Sequence, residues 1–368
     1  MEINKIDSYI SEFLNHYQDY QTYWNYEDGC VLMGCKQMYE VTGDEKFYEY
    51  LIHYLRSRIT EDGNIPSFST EQFSIDSYNC GKVLFYAYEK EKDERYKKAL
   101  DFHMDMISKH PRCQCGNFWH KEIYPNQIWL DGLYMAQPLY MEYETKYNKD
   151  AHYNDILSQF RNVRKYLFQP EKGLFYHAYD EARIQPWADK VTGCSQNFWS
   201  RAEGWWLMAL VDTIEAMSPE IYEQYRELIN LYKEAIQGIL GYCDKRTGMI
   251  YQVIDKPEIE GNYLETSGSA MTAYAIMKGC RLGILCEEKY RRIGRELFEN
   301  LCDEKLKTDA DGNMSLTGIC KVAGLGPGDK RNGSVEYYLS EPVVADDAKG
   351  VGPFMMAYAE YLKSEQDQ

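Results

Sequence analysis

Gly43-Asp44-Glu45-Lys46-Phe47 reads as a tight turn between two helices, and the chain repeats it. The counterparts are Asp93-Glu94-Arg95-Tyr96, Asp150-Ala151-His152-Tyr153, Pro219-Glu220-Ile221-Tyr222 and Glu287-Glu288-Lys289-Tyr290. Acidic residues in a first helical turn complement the helix dipole. The aromatic that follows covers the hairpin end, as a staple residue does. Helical periodicity surrounds these turns: Ile3, Ile6, Ile10, Phe13, Leu14 and Tyr17 share one face at helical spacing. Counting helices on both sides of each turn predicts about twelve, in a repeat of roughly 60 residues. Their approximate spans are 3–19, 28–42, 46–60, 76–90, 93–108, 130–146, 149–167, 199–216, 218–241, 267–284, 287–303 and 347–363.

Such pairs bury their faces only against neighbours. Six of them can close into a double ring of inner and outer helices, with an open solenoid as the competing architecture. No terminal pair carries a polar cap, and the connections on one side are far longer than on the other, which favours the ring.

The ring gathers six segments at one end, where the inner helices begin. They are Trp24-Asn25-Tyr26-Glu27-Asp28-Gly29, Asp76-Ser77-Tyr78-Asn79-Cys80-Gly81, Trp129-Leu130-Asp131-Gly132, Trp199-Ser200-Arg201-Ala202-Glu203-Gly204, Glu265-Thr266-Ser267-Gly268 and Asp347-Ala348-Lys349-Gly350. Every one holds a carboxylate and a glycine. Helix capping accounts for each carboxylate singly. Capping does not call for the Trp, Tyr and Arg among them, whereas a pocket for a polar ligand does. His120, in Phe118-Trp119-His120-Lys121, and His177, in a stretch alternating like a hairpin strand, add ring nitrogens from the long loops. The stretch from about 306 to 346 is Gly-rich and reads as non-helical, a lid or wall over the same mouth.

Composition narrows the classes. The net charge of −17 argues against nucleic acid or an anionic membrane as the main partner. The 34 Tyr, 13 Phe and 7 Trp suit an aromatic core and hint at sugar stacking. The 11 Cys show no metal-type spacing, and Cys113-Gln114-Cys115 is too isolated for a zinc half-site. No secretory signal opens the chain, and no apolar run approaches the roughly 20 residues of a membrane span. The expectation is a cytoplasmic protein with free thiols.

Together the motifs Asp76-x-x-Asn79-x-Gly81, Trp119-His120, Trp129-x-Asp131-Gly132-x-Tyr134-Met135, His177-x-x-Asp180, Trp199-x-Arg201-x-x-Gly204-Trp205, and Tyr338-Leu339-Ser340 leading to Asp347-x-Lys349-Gly350-Val351-Gly352-Pro353 resemble the unsaturated rhamnogalacturonyl hydrolases. These form glycoside hydrolase family 105, related to the unsaturated glucuronyl hydrolases of family 88. The resemblance implies an all-α fold, an (α/α)6 barrel with small β-hairpins on the active-site side, as one catalytic domain over 1–368. It implies a substrate fragment, a di- or oligosaccharide, ending in a 4,5-unsaturated uronic acid, with neither cofactor nor metal. Acid-catalysed hydration of the C4=C5 bond then releases that sugar. Asp131 would protonate C4 and afterwards activate the water that adds at C5, with Asp76 as the second catalytic carboxylate. Tyr26, His120, Met135, His177, Trp199, Arg201 and Trp205 would bind substrate, Arg201 meeting its carboxylate.

Such an acid must be protonated near neutral pH. An apolar setting and a second carboxylate raise a carboxyl pKa, while a helix N-terminus lowers it. The expectation is that burial and Asp76 win at Asp131. The same chemistry on an unsaturated glucuronyl sugar, a sugar 2-epimerase using His residues, and a non-catalytic helical-repeat scaffold remain the alternatives. The sequence assigns no oligomeric state.

Overall fold

The computed structural model describes residues 3–17 and 23–366. Six inner helices line a ring: α2 (Tyr26–Thr42), α4 (Val83–Glu91), α6 (Leu130–Tyr147), α8 (Ser200–Ala216), α10 (Thr266–Arg281) and α13 (Ala348–Gln366). A 3₁₀-helix, Ile75–Lys82, leads into α4 and packs on both α2 and α6. Each inner element packs on the next, and α13 packs on α2, so the ring closes and the open solenoid is excluded. Behind them stand α1 (Ile3–His16), α3 (Glu45–Arg58), α5 (Glu94–Lys109), α7 (Tyr153–Leu167), α9 (Tyr222–Leu240) and α11 (Glu287–Lys305). The chain ends meet at the seam, where Tyr358 donates to Asp7 at 2.9 Å and Tyr9 sits edge-on to Phe354. The predicted extension of the first helix to residue 19 runs outside the described residues.

The two rings differ in composition for a physical reason. An outer helix hides one stripe; α1 buries Ile6, Tyr9, Ile10, Phe13 and Leu14. An inner helix is covered all round, and α10 buries every residue from Thr266 to Cys280. Small residues let such helices approach closely. A Cβ added at Gly352 on α13 would lie 2.4 Å from the Cys30 backbone on α2.

Four turn aromatics cover their hairpin ends, since Phe47, Tyr96, Tyr153 and Tyr290 are all buried. Asp44 and Asp93 cap the helices that follow. The fourth turn departs from this pattern: α9 begins at Tyr222 rather than near 218, and Tyr222 is 60% exposed. α7 likewise starts on its aromatic, Tyr153, which is buried, so the start position alone does not expose Tyr222.

The starts of the inner helices are tied to the long loops. Ile75 N–H donates to His120 O, Leu130 N–H to His177 O, Ser200 N–H to Gln252 O and Thr266 N–H to Gly318 O, at 3.0–3.1 Å. These donors lack partners within their own helices, so each loop is pinned where the next helix begins. Short antiparallel pairs stiffen the same side: β1 (Gln127–Trp129) with β4 (Ala178–Asp180), β2 (Phe168–Gln169) with β3 (Leu174–Phe175), and β5 (Ile250–Tyr251) with β6 (Leu264–Glu265). His177 therefore lies between strands of two different pairs rather than within one hairpin.

The 306–346 stretch is not structureless. β7 (Leu306–Thr308) pairs with β8 (Met314–Leu316), β9 (Ile319–Cys320) pairs with β10 (Val343–Val344), and α12 spans Val335–Ser340. Ser334 caps α12 by accepting from Tyr337 N–H at 3.1 Å. Six residues are too few for helical periodicity to stand out in a sequence. Among the described residues no helix is long and apolar enough to cross a membrane.

Candidate active site

A pocket of about 190 Å³ opens at the end of the ring where the inner helices begin. Tyr26, Asp76, His120, Asp131, Met135, Trp199, Arg201 and Trp205 all line it. Eight of the nine residues singled out in the sequence thus meet in one cavity. The ninth, His177, does not line it. It is fully buried and stands behind Asp131, with Nε2 3.4 Å from the carboxylate Oδ2. Its role in direct substrate contact is corrected accordingly: it reaches the pocket through Asp131.

Asp131 sits in the first turn of α6, whose N-cap position belongs to Trp129. Asp131 is therefore not the helix cap. Of the six helix starts, Asn25 and Glu265 cap in the ordinary way, accepting from Asp28 and Gly268 N–H. The Asp131 side chain keeps 15% exposure, enough to face the cavity. His177 grips α6 twice, its carbonyl accepting from Leu130 N–H and its ring facing Asp131. On the far side, His177 Nδ1 and the Tyr338 hydroxyl of α12 are 2.9 Å apart.

The electrostatics reverse one expectation. Burial, the largest influence, pushes the Asp131 carboxyl up. His177, His120 and its own backbone N–H outweigh it and hold the group below the ordinary carboxylate range. Burial pushes the His120 ring down to about 4, so this ring is neutral near pH 7. At that pH the pull on Asp131 rests on His177 and the helix start. Asp76 does not act as a bare second negative charge either, since Lys121 Nζ lies 2.8 Å from its Oδ2 and His120 Nε2 lies 3.8 Å from its Oδ1. Asp131 thus stands as an anion near neutral pH.

Aromatic rings set the walls. His120 lies flat on Trp129 with centroids 4.2 Å apart, and Tyr124 stacks near Trp129 at 5.0 Å. Trp205 is backed by Tyr134 at 4.9 Å. Arg201 is 1% exposed and lies over the Trp199 ring at 4.9 Å. Its Nη1 donates to Cys320 O at 2.7 Å, which fastens the 306–346 wall to the barrel. The same Nη1 also donates to the Ser267 hydroxyl at 3.4 Å. Asp131 Oδ2 and His177 Nε2 face each other at 3.4 Å behind the pocket, and His120 Nδ1 is turned toward Gly132, away from Asp76.

Sequence reasoning missed Glu27, Lys121 and Tyr124, and also Val322, Ala323, Gly324 and Arg331 from the wall. Glu27 and Lys121 lie inside the stretches that were singled out, so nearness to Tyr26 and His120 was a usable signal. Burial pushes the Glu27 carboxyl up to about 7, against the pull of Lys349. Nothing local marks Arg331.

The sequence profile of Glycosyl Hydrolase Family 88 matches residues 3–365. A solved structure of a family 105 glycoside hydrolase from C. acetobutylicum ATCC 824 superposes with a TM-score of 0.91 at 41% identity, covering 97% of this chain and 98% of that one. Protein Atu3128 of Agrobacterium fabrum is 41% identical over 238 residues, 62% of this chain and 98% of that protein. The unsaturated rhamnogalacturonyl hydrolase YesR of Bacillus subtilis is 23% identical over 284 residues, 76% of this chain and 77% of that protein. The closed helical ring removes the open-scaffold alternative and these likenesses remove the epimerase: the chain belongs to glycosyl hydrolase family 88 and is a glycosidase of the family 105, unsaturated-uronyl hydrolase type.

Proposed function

We propose that this glycosidase removes a 4,5-unsaturated galacturonic acid from rhamnose at the non-reducing end of rhamnogalacturonan fragments made by a lyase. The observation that carries this reading is the grouping of Asp131, Asp76 and Arg201 around a cavity with room for about one sugar ring. The name of the Bacillus subtilis relative favours rhamnogalacturonan as the source. The whole chain, 1–368, works as one catalytic domain, in the cytoplasm, on fragments already taken up.

Arg201 meets the substrate carboxylate, which suits its planar fork. Trp199 and Tyr26 face the ring, and Met135 and Trp205 fill beside it. Binding brings a second negative charge and expels water from around Asp131. Both effects favour the neutral acid, so Asp131 takes up a proton as the substrate enters. It then gives that proton to C4, and the cation left at C5 is captured by water. Asp131, again an anion, accepts the proton of that water, with Asp76 and Lys121 orienting it. The C5 hemiketal opens, and the leaving sugar departs.

Lyase-generated oligosaccharides from pectin, ulvan and glycosaminoglycans, added separately, test the reading. Loss of the double-bond ultraviolet absorbance is expected, fastest with the pectin fragments. No loss with any of them overturns the reaction. Faster loss with a glucuronyl fragment overturns the substrate but keeps the chemistry.

A further inference from the structure

The pocket holds three permanent cations in a chain of net charge −17, and a single substrate carboxylate needs only one. Arg201 is buried within reach of that carboxylate. Lys121 is committed to Asp76 at 2.8 Å. Arg331 has neither role. It is exposed, it lines the pocket from the 306–346 wall, and it makes no ion pair with a described carboxylate.

Its placement is built rather than incidental. The side chain crosses Gly326 and Gly324: a Cβ at Gly326 would lie 3.4 Å from Arg331 Cδ, and one at Gly324 would lie 3.4 Å from Nη1. That same Gly324 Cβ would stand 3.6 Å from the Trp129 ring. The side chain thus lies along the Gly324–Gly326 backbone, with its guanidinium at the pocket edge beside Trp129. Gly326 N–H also donates to Arg331 O at 3.3 Å, closing the loop on itself. A cavity of about 190 Å³ is smaller than the roughly 300–1,000 Å³ of sites that enclose drug-sized ligands. It takes one ring, and whatever follows the scissile bond lies at the mouth.

We propose that Arg331 is a specificity-determining residue that reads a negative charge carried by the substrate just beyond the scissile bond. This rests on the hydrolysis of an unsaturated uronide proposed above and adds to it a preference on the leaving side. The recognised chemistry is an anionic oxygen group, which a guanidinium binds through paired N–H donors. A uronate carboxylate and a sulfate ester both offer it.

The test compares kcat/KM on three substrates with the same unsaturated ring. One has a neutral rhamnose as leaving sugar, one a sulfated rhamnose, and one a neutral rhamnose followed by a uronate. Each is measured with the wild type, R331A and R331K. The wild type is expected to prefer a charged substrate over the neutral one. R331A is expected to cut that charged-to-neutral ratio by roughly fivefold, mostly through KM, as an exposed charge pair allows. R331K retains part of the ratio, and raising the salt shrinks it in the wild type and in R331K but not in R331A. A response to the sulfated arm only, or to the uronate arm only, names the source of the charge. An unchanged ratio in both arms of R331A overturns the proposal while leaving the reaction intact. Turnover of none of the three overturns the reaction, and the proposal falls with it.

Discussion

His177 Nε2 stands 3.4 Å from Asp131 Oδ2, and the histidine is sealed from solvent while the aspartate faces the pocket. His177 is thus a positioning residue that sets both the orientation and the proton affinity of Asp131. Its removal lets the Asp131 pKa rise. In H177Q the pKa read from the Asp131-dependent limb of the kcat/KM profile moves to higher pH, and kcat falls by about ten- to a hundredfold. A limb that stays in place would show that the backbone N–H, and not the imidazole, holds the group down.

Asp131→Asn is expected to lower kcat by a factor of about 10² to 10⁴, the usual worth of a positioned proton donor. It also has a signature in stability. The folded pKa of Asp131 is depressed, so its ionised form stabilises the fold above the unfolded value of about 3.9, and that contribution is lost as pH falls through the folded value. The wild type is therefore more stable than D131N near neutral pH, and the difference closes in acid below about pH 4. Urea unfolding at several pH values measures it. A gap that widens in acid would contradict the sign.

Arg201→Lys keeps the charge and loses the fork. A hydrogen bond to a charged group contributes about 1.5–3 kcal/mol, so kcat/KM should drop by about ten- to a hundredfold, largely through KM. Lysine also gives up the placement over Trp199 and part of the hold on Cys320 O. Equal activity in R201K would remove Arg201 from carboxylate recognition.

Glu203 lies on α8 one turn from the pocket residues, is 1% exposed, and accepts from Phe175 N–H. Burial pushes its carboxyl up to about 8. Here the folded state binds the proton more tightly than the unfolded chain, whose glutamate titrates near about 4.3. Stability from this group is full below that value and declines as pH rises toward 8. Glu203→Gln keeps an acceptor for Phe175 and cannot ionise. Its melting temperature relative to wild type should climb from pH 5 to pH 8 and then level off. A flat difference across that range counts against the raised pKa.

Gly352→Ala tests the closure of the ring. The new Cβ would meet the Cys30 backbone, which cannot rotate aside as a side chain can. Overpacking of this kind costs about 1–3 kcal/mol, and the denaturation midpoint should fall to match. A variant as stable as the parent would mean that α13 and α2 have slack.

The helical hairpins were legible because their signals are local. Asp44 and Asp93 cap their helices where they stand, and Phe47 and Tyr96 cover turns only a few residues away. Candidate residues such as Asp131, Asp76 and Arg201 were legible because each lies at a helix start on the long-loop side. The turn at Tyr222 was misread because whether an aromatic is covered depends on what packs across it: Tyr153 and Tyr222 both open their helices, yet the first is buried and the second is exposed.

What the sequence determined by itself, then, was the set of helical hairpins and which ends of the inner helices bear chemistry, since periodicity, caps and turn residues act over a few positions; the packing of α13 on α2 closed them into a ring. Only the tertiary structure decided which way the Asp131 pKa moves, that His177 stands behind it rather than in the cavity, and that Arg331 reaches the mouth. Those properties depend on which groups meet across the barrel. A charge responds to neighbours in space, and His177 and Arg331 arrive there from loops that carry no periodicity to read.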